Sequence, residues 1–175
     1  MRKMTEPWQF GNVPGRLQAN LITDSKIVAA FIKNAKHPII VIGSQTFDTA
    51  LGKSDTAKLM EKLYENNVQM VATANMKELA EVGFRDTPWM GVVDITNRLT
   101  DSAWMGVDGR GQYDLVLFIG VIYYLQSQML STLKHFAPKL KTVALDRYYH
   151  PNASWSFSLS EDEWHKNMVE LMNQI

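Results

Sequence analysis

The sequence contains no cysteine. Because thiolates are the usual ligands of iron–sulfur clusters and of cysteine-type zinc sites, the chain cannot hold either group by itself. It also cannot form a disulfide or use a cysteine nucleophile. The four histidines, at positions 37, 135, 150 and 165, do not form a His-x-x-x-His pair. The sequence therefore predicts no metal site on this chain.

Net charge and long apolar runs are lacking as well. The 18 basic and 18 acidic residues cancel, so no bulk field favours nucleic acid or an acidic membrane. No apolar run approaches the length of a membrane span, and the start, Met1-Arg2-Lys3, leads into polar residues rather than a targeting signal. We expect a cytoplasmic protein whose 175 residues are mostly one domain with a substantial core.

Two unbroken apolar runs, each ending in glycine, organise the chain. Residues 38–42 lead to Gly43, and residues 115–119 lead to Gly120. Runs that do not alternate with polar residues are typical of strands buried on both faces. The sequence therefore predicts an α/β fold in three layers, doubly wound and Rossmann-like, with a mostly parallel sheet of about six strands. The ligand crevice of such a fold lies at the carboxyl ends of the strands.

Periodicity and capping residues predict the remaining elements. The expected caps are Thr23 for the first helix, Asn75 with Glu78 for a short one, Asp94 for a helix through Leu99, and Ser160 with Glu163 for the last. Further helices are expected over 55–66 and 126–137, and further strands over 68–73, 141–145 and 155–159.

Residues 1–22 differ from the rest and predict an extended arm preceding a single domain of residues 23–175. Two prolines, two glycines and no periodicity accompany Trp8, Phe10 and Arg16. The arm either covers the domain's own core or binds a partner, and the sequence favours the two equally. Tryptophan and arginine are favoured at the centres of interfaces, which makes these three residues candidates for partner binding.

The predicted strand ends supply candidate cofactor residues. Gly43, Ser44, Gln45 and Gly120 follow two strands, and Asp146 follows a third. An acidic residue at such a position commonly binds a ribose hydroxyl, although pairing with Arg147 or capping a turn is the simpler interpretation of Asp146.

A glycine-rich stretch, residues 106–111, precedes the second apolar run. It matches neither the dinucleotide fingerprint nor a P-loop. A connection is therefore favoured over a phosphate site.

Several segments resemble a known family. They are Pro7-Trp8-Gln9, the runs 38–43 and 113–120, Tyr123-Tyr124, Ser127-Gln128, Ser156-Phe157 and above all Asp146-Arg147-Tyr148-Tyr149-His150-Pro151-Asn152-Ala153. Together they resemble the epsilon subunits of archaeal acetyl-CoA decarbonylase/synthase complexes over essentially the full length, most weakly over 44–112. The resemblance implies a fold like the nucleotide-binding central domain of thiamine diphosphate enzymes, whose members often hold the ADP part of FAD. It also implies a partner, the large nickel–iron–sulfur carbon monoxide dehydrogenase (alpha) subunit, in an α2ε2 assembly.

Two functions follow as hypotheses. The first is an accessory subunit without clusters, which stabilises the carbon monoxide dehydrogenase component or assists electron transfer to FAD; Tyr148, Tyr149 and His150 then join the partner-binding candidates. The second is a stand-alone flavin or nicotinamide nucleotide binder. The isolated chain is expected to be able to form a homodimer. A hydrolase is disfavoured because the sequence has no Gly-x-Ser-x-Gly motif.

Overall fold

The computed structural model describes residues 18–73 and 76–175. The strands are β1 (Asn20–Leu21), β2 (Pro38–Ile42), β3 (Gln69–Ala72), β4 (Leu115–Ile119), β5 (Lys141–Ala144) and β6 (Trp155–Ser156). The helices are α1 (Ser25–Asn34), α2 (Gly52–Glu65), α3 (Met76–Glu81), α4 (Val92–Thr100), α5 (Tyr123–Phe136) and α6 (Glu161–Gln174). Most of the predicted arm, residues 1–17, lies outside the described residues, as does the predicted cap Asn75.

The six strands form one sheet in the order β1-β6-β5-β4-β2-β3, with every pair parallel. This confirms the predicted α/β class and strand number, and the mostly parallel sheet proves to be wholly parallel. Because β1 belongs to it, the sheet begins three residues before the predicted domain boundary at residue 23. The chain passes from β3 back to β4, on the other side of β2. The topological switch point therefore lies between β2 and β4.

Two hydrophobic cores lie on opposite faces of the sheet, which gives the three predicted layers. In β2, Ile40 and Ile42 pack in the core beneath α1, α2 and α6, whereas Ile39 and Val41 pack in the core beneath α4 and α5. All five residues of β2 and all five of β4 are buried. Burial on both faces explains why these runs show no polar alternation.

Two predicted helix caps are wrong, and one is confirmed. Asp24, not Thr23, caps α1, since its carboxylate accepts a hydrogen bond from the Lys26 N–H at 2.8 Å. Gly91 occupies the cap position of α4, while Asp94 lies within the first turn and pairs with Arg98 at 3.0 Å. The reciprocal hydrogen bonds between Ser160 and Glu163 at the start of α6 confirm the predicted capping box.

The sheet is short at the β1 edge. β1 has two residues, and beside it the strand predicted over 155–159 narrows to the two residues of β6. At the other edge, Ala72 of β3 donates its N–H to Pro88 O at 2.9 Å and accepts from Met90 N–H at 3.0 Å. This single bridge places the extended residues 88–90 outside β3.

The longest helices, α2, α5 and α6, have 14 residues each. Within the described ranges, no helix combines the length and apolar character needed to cross a membrane.

Candidate functional site

A cavity of about 320 Å³ opens at the carboxyl ends of β2, β4 and β5, and we name it the strand-end cavity. Its lining includes three of the five predicted cofactor residues, Gln45, Gly120 and Asp146. The other two, Gly43 and Ser44, are not among the lining residues. Of the predicted partner-binding residues, Tyr148 and His150 line this cavity, whereas Trp8, Phe10 and Arg16 lie outside the described residues.

The loops that follow β2 and β4 are in direct backbone contact. Gly43 donates its N–H to Ile119 O at 2.8 Å, and Gln45 donates to Gly120 O at 2.7 Å. A Cβ at Gly43 would lie 2.3 Å from Gly120 O, which no real side chain tolerates. The glycine at the end of β2 is therefore required by the close approach of two loops rather than by a ligand.

Thr46 fills the switch point. Its side chain is fully buried, and Oγ1 lies 2.8 Å from Gly43 O and 3.1 Å from Ile119 O. Gly120 has a φ of +68°, and a Cβ there would lie 2.2 Å from Thr46 Oγ1. Dinucleotide-binding folds offer this position to a ligand diphosphate, which bonds to free backbone amides. Here a threonine side chain occupies it.

Asp146 is held by the neighbouring strand loop. Its Oδ1 accepts a hydrogen bond from Gly120 N–H at 2.7 Å, and Oδ2 is enclosed without a hydrogen bond from any described residue. Burial raises the pKa of Asp146 to about 6, although the hydrogen bond from Gly120 N–H acts in the opposite direction. Asp146 does not pair with Arg147, whose guanidinium stacks over the Tyr148 ring at 4.1 Å.

Aromatic residues fix the loop after β5 against the start of α5. The rings of Tyr123 and His150 stack at 4.3 Å between centroids, and Tyr123 donates its hydroxyl to Tyr149 O at 2.9 Å. Burial lowers the pKa of His150 to about 3 and raises that of Tyr123 to about 12, so both rings are neutral near pH 7. Tyr149 donates its hydroxyl to Ala19 O at 2.6 Å.

These contacts alter the expectation for the Tyr148 to His150 segment. Tyr149 and His150 are 6% and 1% exposed, so as monomer side chains they support the loop rather than present a surface. Tyr148 is 40% exposed and remains available to a partner. The sequence alone did not show this division, because all three residues are compatible with either an interface or an aromatic packing cluster.

Sequence reasoning also missed Tyr123 and Gln126 as residues of the site. The sequence predicts that this helix begins at about Gln126, whereas α5 begins at Tyr123, directly after the Gly120 loop. Gln126 is completely buried beside Asp146, and neither atom of its amide group has a hydrogen-bond partner among the described residues. The spacing of three between Tyr123 and Gln126 places them on one helix face, a signal that an earlier helix start would have revealed.

The glycine-rich loop 106–111 lies at the other end of the sheet, where β2 and β4 begin. His37, just before β2, contacts Asp108 Oδ2 through Nε2 and Gln112 O through Nδ1, each at 3.1 Å. Its ring stacks on Tyr113 at 4.1 Å. The loop is thus fastened to the sheet by protein contacts, and it does not contribute to the strand-end cavity.

The family model described as CO dehydrogenase beta subunit/acetyl-CoA synthase epsilon subunit matches residues 2–172. The acetyl-CoA decarbonylase/synthase complex subunit epsilon of Methanothermobacter thermautotrophicus is 39% identical over 167 residues, which cover 94% of this chain and 93% of that protein. The chain belongs to this epsilon-subunit family.

Further epsilon-family relatives agree. The epsilon subunit of Methanothrix soehngenii is 33% identical over 95% of this chain and 89% of its own length. Subunit epsilon 1 of Archaeoglobus fulgidus is 38% identical over 76% of this chain and 71% of its own length. The similarity therefore extends over whole subunits rather than one motif.

Because the sequence resembles domains that hold FAD, this epsilon-family chain is a candidate to bind FAD. The described residues, however, do not fit the diphosphate of FAD. Thr46 fills the switch point, and Gly120 N–H already bonds to Asp146. Three carboxylates, Asp48, Asp146 and Glu161, line the cavity together with a single guanidinium, that of Arg147. This charge balance disfavours a diphosphate. The volume also lies at the low end of the range of about 300–1,000 Å³ that ligand pockets occupy.

Over 18–73 and 76–175, no three or more histidine, aspartate or glutamate side chains come together as candidate ligands for an ion.

Proposed function

We propose that this chain is an accessory subunit of the carbon monoxide dehydrogenase component of an acetyl-CoA decarbonylase/synthase complex. In this role it binds the large nickel–iron–sulfur subunit and stabilises an α2ε2 assembly. The observation that carries the proposal is the similarity to an epsilon subunit over 94% of this chain and 93% of that relative. Since this chain has no cysteine, thiolate-bound clusters require ligands from another chain.

Co-expression with the large subunit tests the proposal. Affinity purification through a tag on this chain is expected to recover both subunits, and native mass spectrometry is expected to show two copies of each. A tagged chain that recovers no large subunit would contradict the proposal. The same measurement on the isolated chain tests the expected homodimer.

A flavin or nicotinamide nucleotide binder is the second candidate. The observation in its favour is chain order. β4 leads through Gly120 into α5, and Asp146 follows the end of β5 by two residues. Dinucleotide-binding folds use this arrangement for phosphate and ribose. Against it, the Gly120 N–H that a phosphate would need already bonds to Asp146, and the Thr46 hydroxyl is bonded between the loops after β2 and β4.

Isothermal titration with FAD distinguishes the two candidates. We expect no binding by the isolated chain or by its complex with the large subunit. Tight binding that Asp146→Ala abolishes would instead establish the nucleotide site and support a part in electron transfer. No redox-active side chain is proposed, because in such a protein the cofactor carries the redox chemistry.

A further inference from the structure

Exposed apolar side chains lie next to the lining of the strand-end cavity. Tyr148 lines the cavity itself, and Ile122 and Tyr124 flank the lining residue Tyr123 in sequence at the start of α5. Ile122, Tyr124 and Tyr148 are 37%, 65% and 40% exposed. We name the two tyrosines, together with the neighbouring Ile122, the aromatic rim. Large aromatic residues are enriched at the centres of protein interfaces, where they supply contact area at little entropic cost.

The cavity beside the rim is acidic. Asp48, Asp146 and Glu161 are among its lining residues, and Asp146 Oδ2 has no hydrogen-bond partner in the described part of the chain. Arg147 is engaged with Tyr148, both by stacking and by a hydrogen bond to its hydroxyl. No described basic side chain forms an ion pair with Asp48 or Glu161. Among the described lining residues, three carboxylates therefore outnumber the single guanidinium of Arg147.

Aromatic rings form part of the same wall. Tyr123 contacts Tyr148 edge to face at 6.4 Å between centroids and stacks on His150 on its other side. Trp164 is held by a hydrogen bond from its indole N–H to Leu145 O at 2.6 Å. Fixed aromatic rings next to carboxylates suit a cation, which gains both charge pairing and cation–π attraction.

We infer that the aromatic rim and the strand-end cavity together receive a basic side chain, an arginine or a lysine, from the large subunit. The inference rests on the proposed function, and it assigns the contact surface and the chemistry of the contact. The aromatic rim would supply the buried centre of the interface. Asp48 and Glu161 would supply negative charge at the margin of that interface, complementary to the basic side chain. A phosphate-bearing small molecule is disfavoured by the same charges.

Two exposed tyrosines provide a matched test of the rim. Tyr124 and Tyr64 are 65% and 69% exposed on helices, but Tyr64 lies near the end of α2, at the opposite end of the sheet. The Kd for the purified large subunit is measured by biolayer interferometry. Tyr124→Ala is expected to weaken binding at least about tenfold, as for an interface residue, and Tyr64→Ala is expected to leave it unchanged.

Charge is tested by a second pair of variants. The first double variant, Asp48→Asn with Glu161→Gln, removes two exposed carboxylates at the cavity. The second, the control, is Glu65→Gln with Glu170→Gln, which removes two exposed carboxylates at the far ends of α2 and α6. The first variant is expected to weaken binding about tenfold or more at low salt, with a smaller effect at high salt; the second is expected to change it little. Thermal unfolding of every variant verifies folding.

The outcomes separate the two levels of the proposal. If the wild-type chain does not bind the large subunit, the proposed function and this inference both fail. If it binds and Tyr124→Ala behaves like Tyr64→Ala, the surface is wrong and the proposed function stands. If the carboxylate variant binds as tightly as wild type or more tightly, the partner group is not basic, and the inference is overturned.

Discussion

Replacement of Asp146 by asparagine should change how stability depends on pH. The pKa of this carboxyl is about 6 in the folded chain, against an ordinary value of 3.8. Because the folded state binds the proton more tightly, the stability that this group contributes is complete below the ordinary value and is lost as the pH rises through about 6. A difference of about 2 pKa units corresponds to about 3 kcal/mol. Asp146→Asn cannot titrate, so it should not show this loss.

His150 acts in the opposite direction over the same range. Its pKa falls from 6.5 to about 3 on folding, so its contribution is present above the ordinary value and is lost as the pH falls toward 3. The wild-type profile alone therefore mixes two opposing effects. The difference in unfolding free energy between Asp146→Asn and wild type isolates the aspartate.

Urea unfolding, followed by tryptophan fluorescence in a series of buffers from about pH 4 to about pH 7, measures this difference. It should shift in favour of the variant by about 2 to 3 kcal/mol as the pH rises. A flat difference for Asp146→Asn would refute the burial argument, and carboxyl NMR titration would then locate the actual pKa.

Three further predictions concern packing. Gly43→Ala places a Cβ 2.3 Å from Gly120 O, so it should lower the free energy of unfolding by about 3 kcal/mol or prevent folding. Gly91→Ala is the control: no atom lies within 4 Å of its new Cβ, and urea unfolding should show a loss of less than about 1 kcal/mol. Thr46→Val keeps the shape of the side chain but removes the hydroxyl that lies against Gly43 O and Ile119 O. The midpoint of urea unfolding should fall, by an amount that corresponds to about 1 to 3 kcal/mol of unfolding free energy. His37→Phe retains an aromatic ring against Tyr113 but removes the polar contacts with Asp108 and Gln112. Amide hydrogen exchange in loop 106–111 should therefore accelerate. Unchanged exchange would show that the ring stack alone holds the loop.

The regular elements were largely predictable, because their causes are local or repeated along the chain. The apolar runs ending at Gly43 and Gly120 predicted β2 and β4, and the Ser160 to Glu163 pattern predicted the start of α6. The capping residues of α1 and α4 were harder to predict, because each helix start has two candidates close together in sequence. Thr23 lies beside Asp24, and Asp94 lies three residues after Gly91. Neighbouring residues with similar capping ability differ only in the backbone angle of the entering chain.

The site was less predictable because contacts between distant segments decide it. Glycine at a strand end is compatible with a phosphate loop, and only the approach of the Gly43 loop to the Gly120 loop shows that protein backbone fills the space. Asp146 was placed correctly at a strand end, but its bond to Gly120 N–H depends on the order of β4 and β5 in the sheet. Burial of Tyr149 and His150 likewise depends on α5 and on Ala19.

The bridge outside β3 has a consequence for how the protein avoids misassembly. An open, flat sheet edge is a template for strand addition and amyloid-like aggregation. Here Pro88 and Met90 bond to Ala72, the last residue of β3, and Pro88 has no N–H to offer an incoming strand. The opposite edge has only the two residues of β1. Among the described residues, continuous extension of the sheet is therefore disfavoured at the β1 edge and at the end of β3.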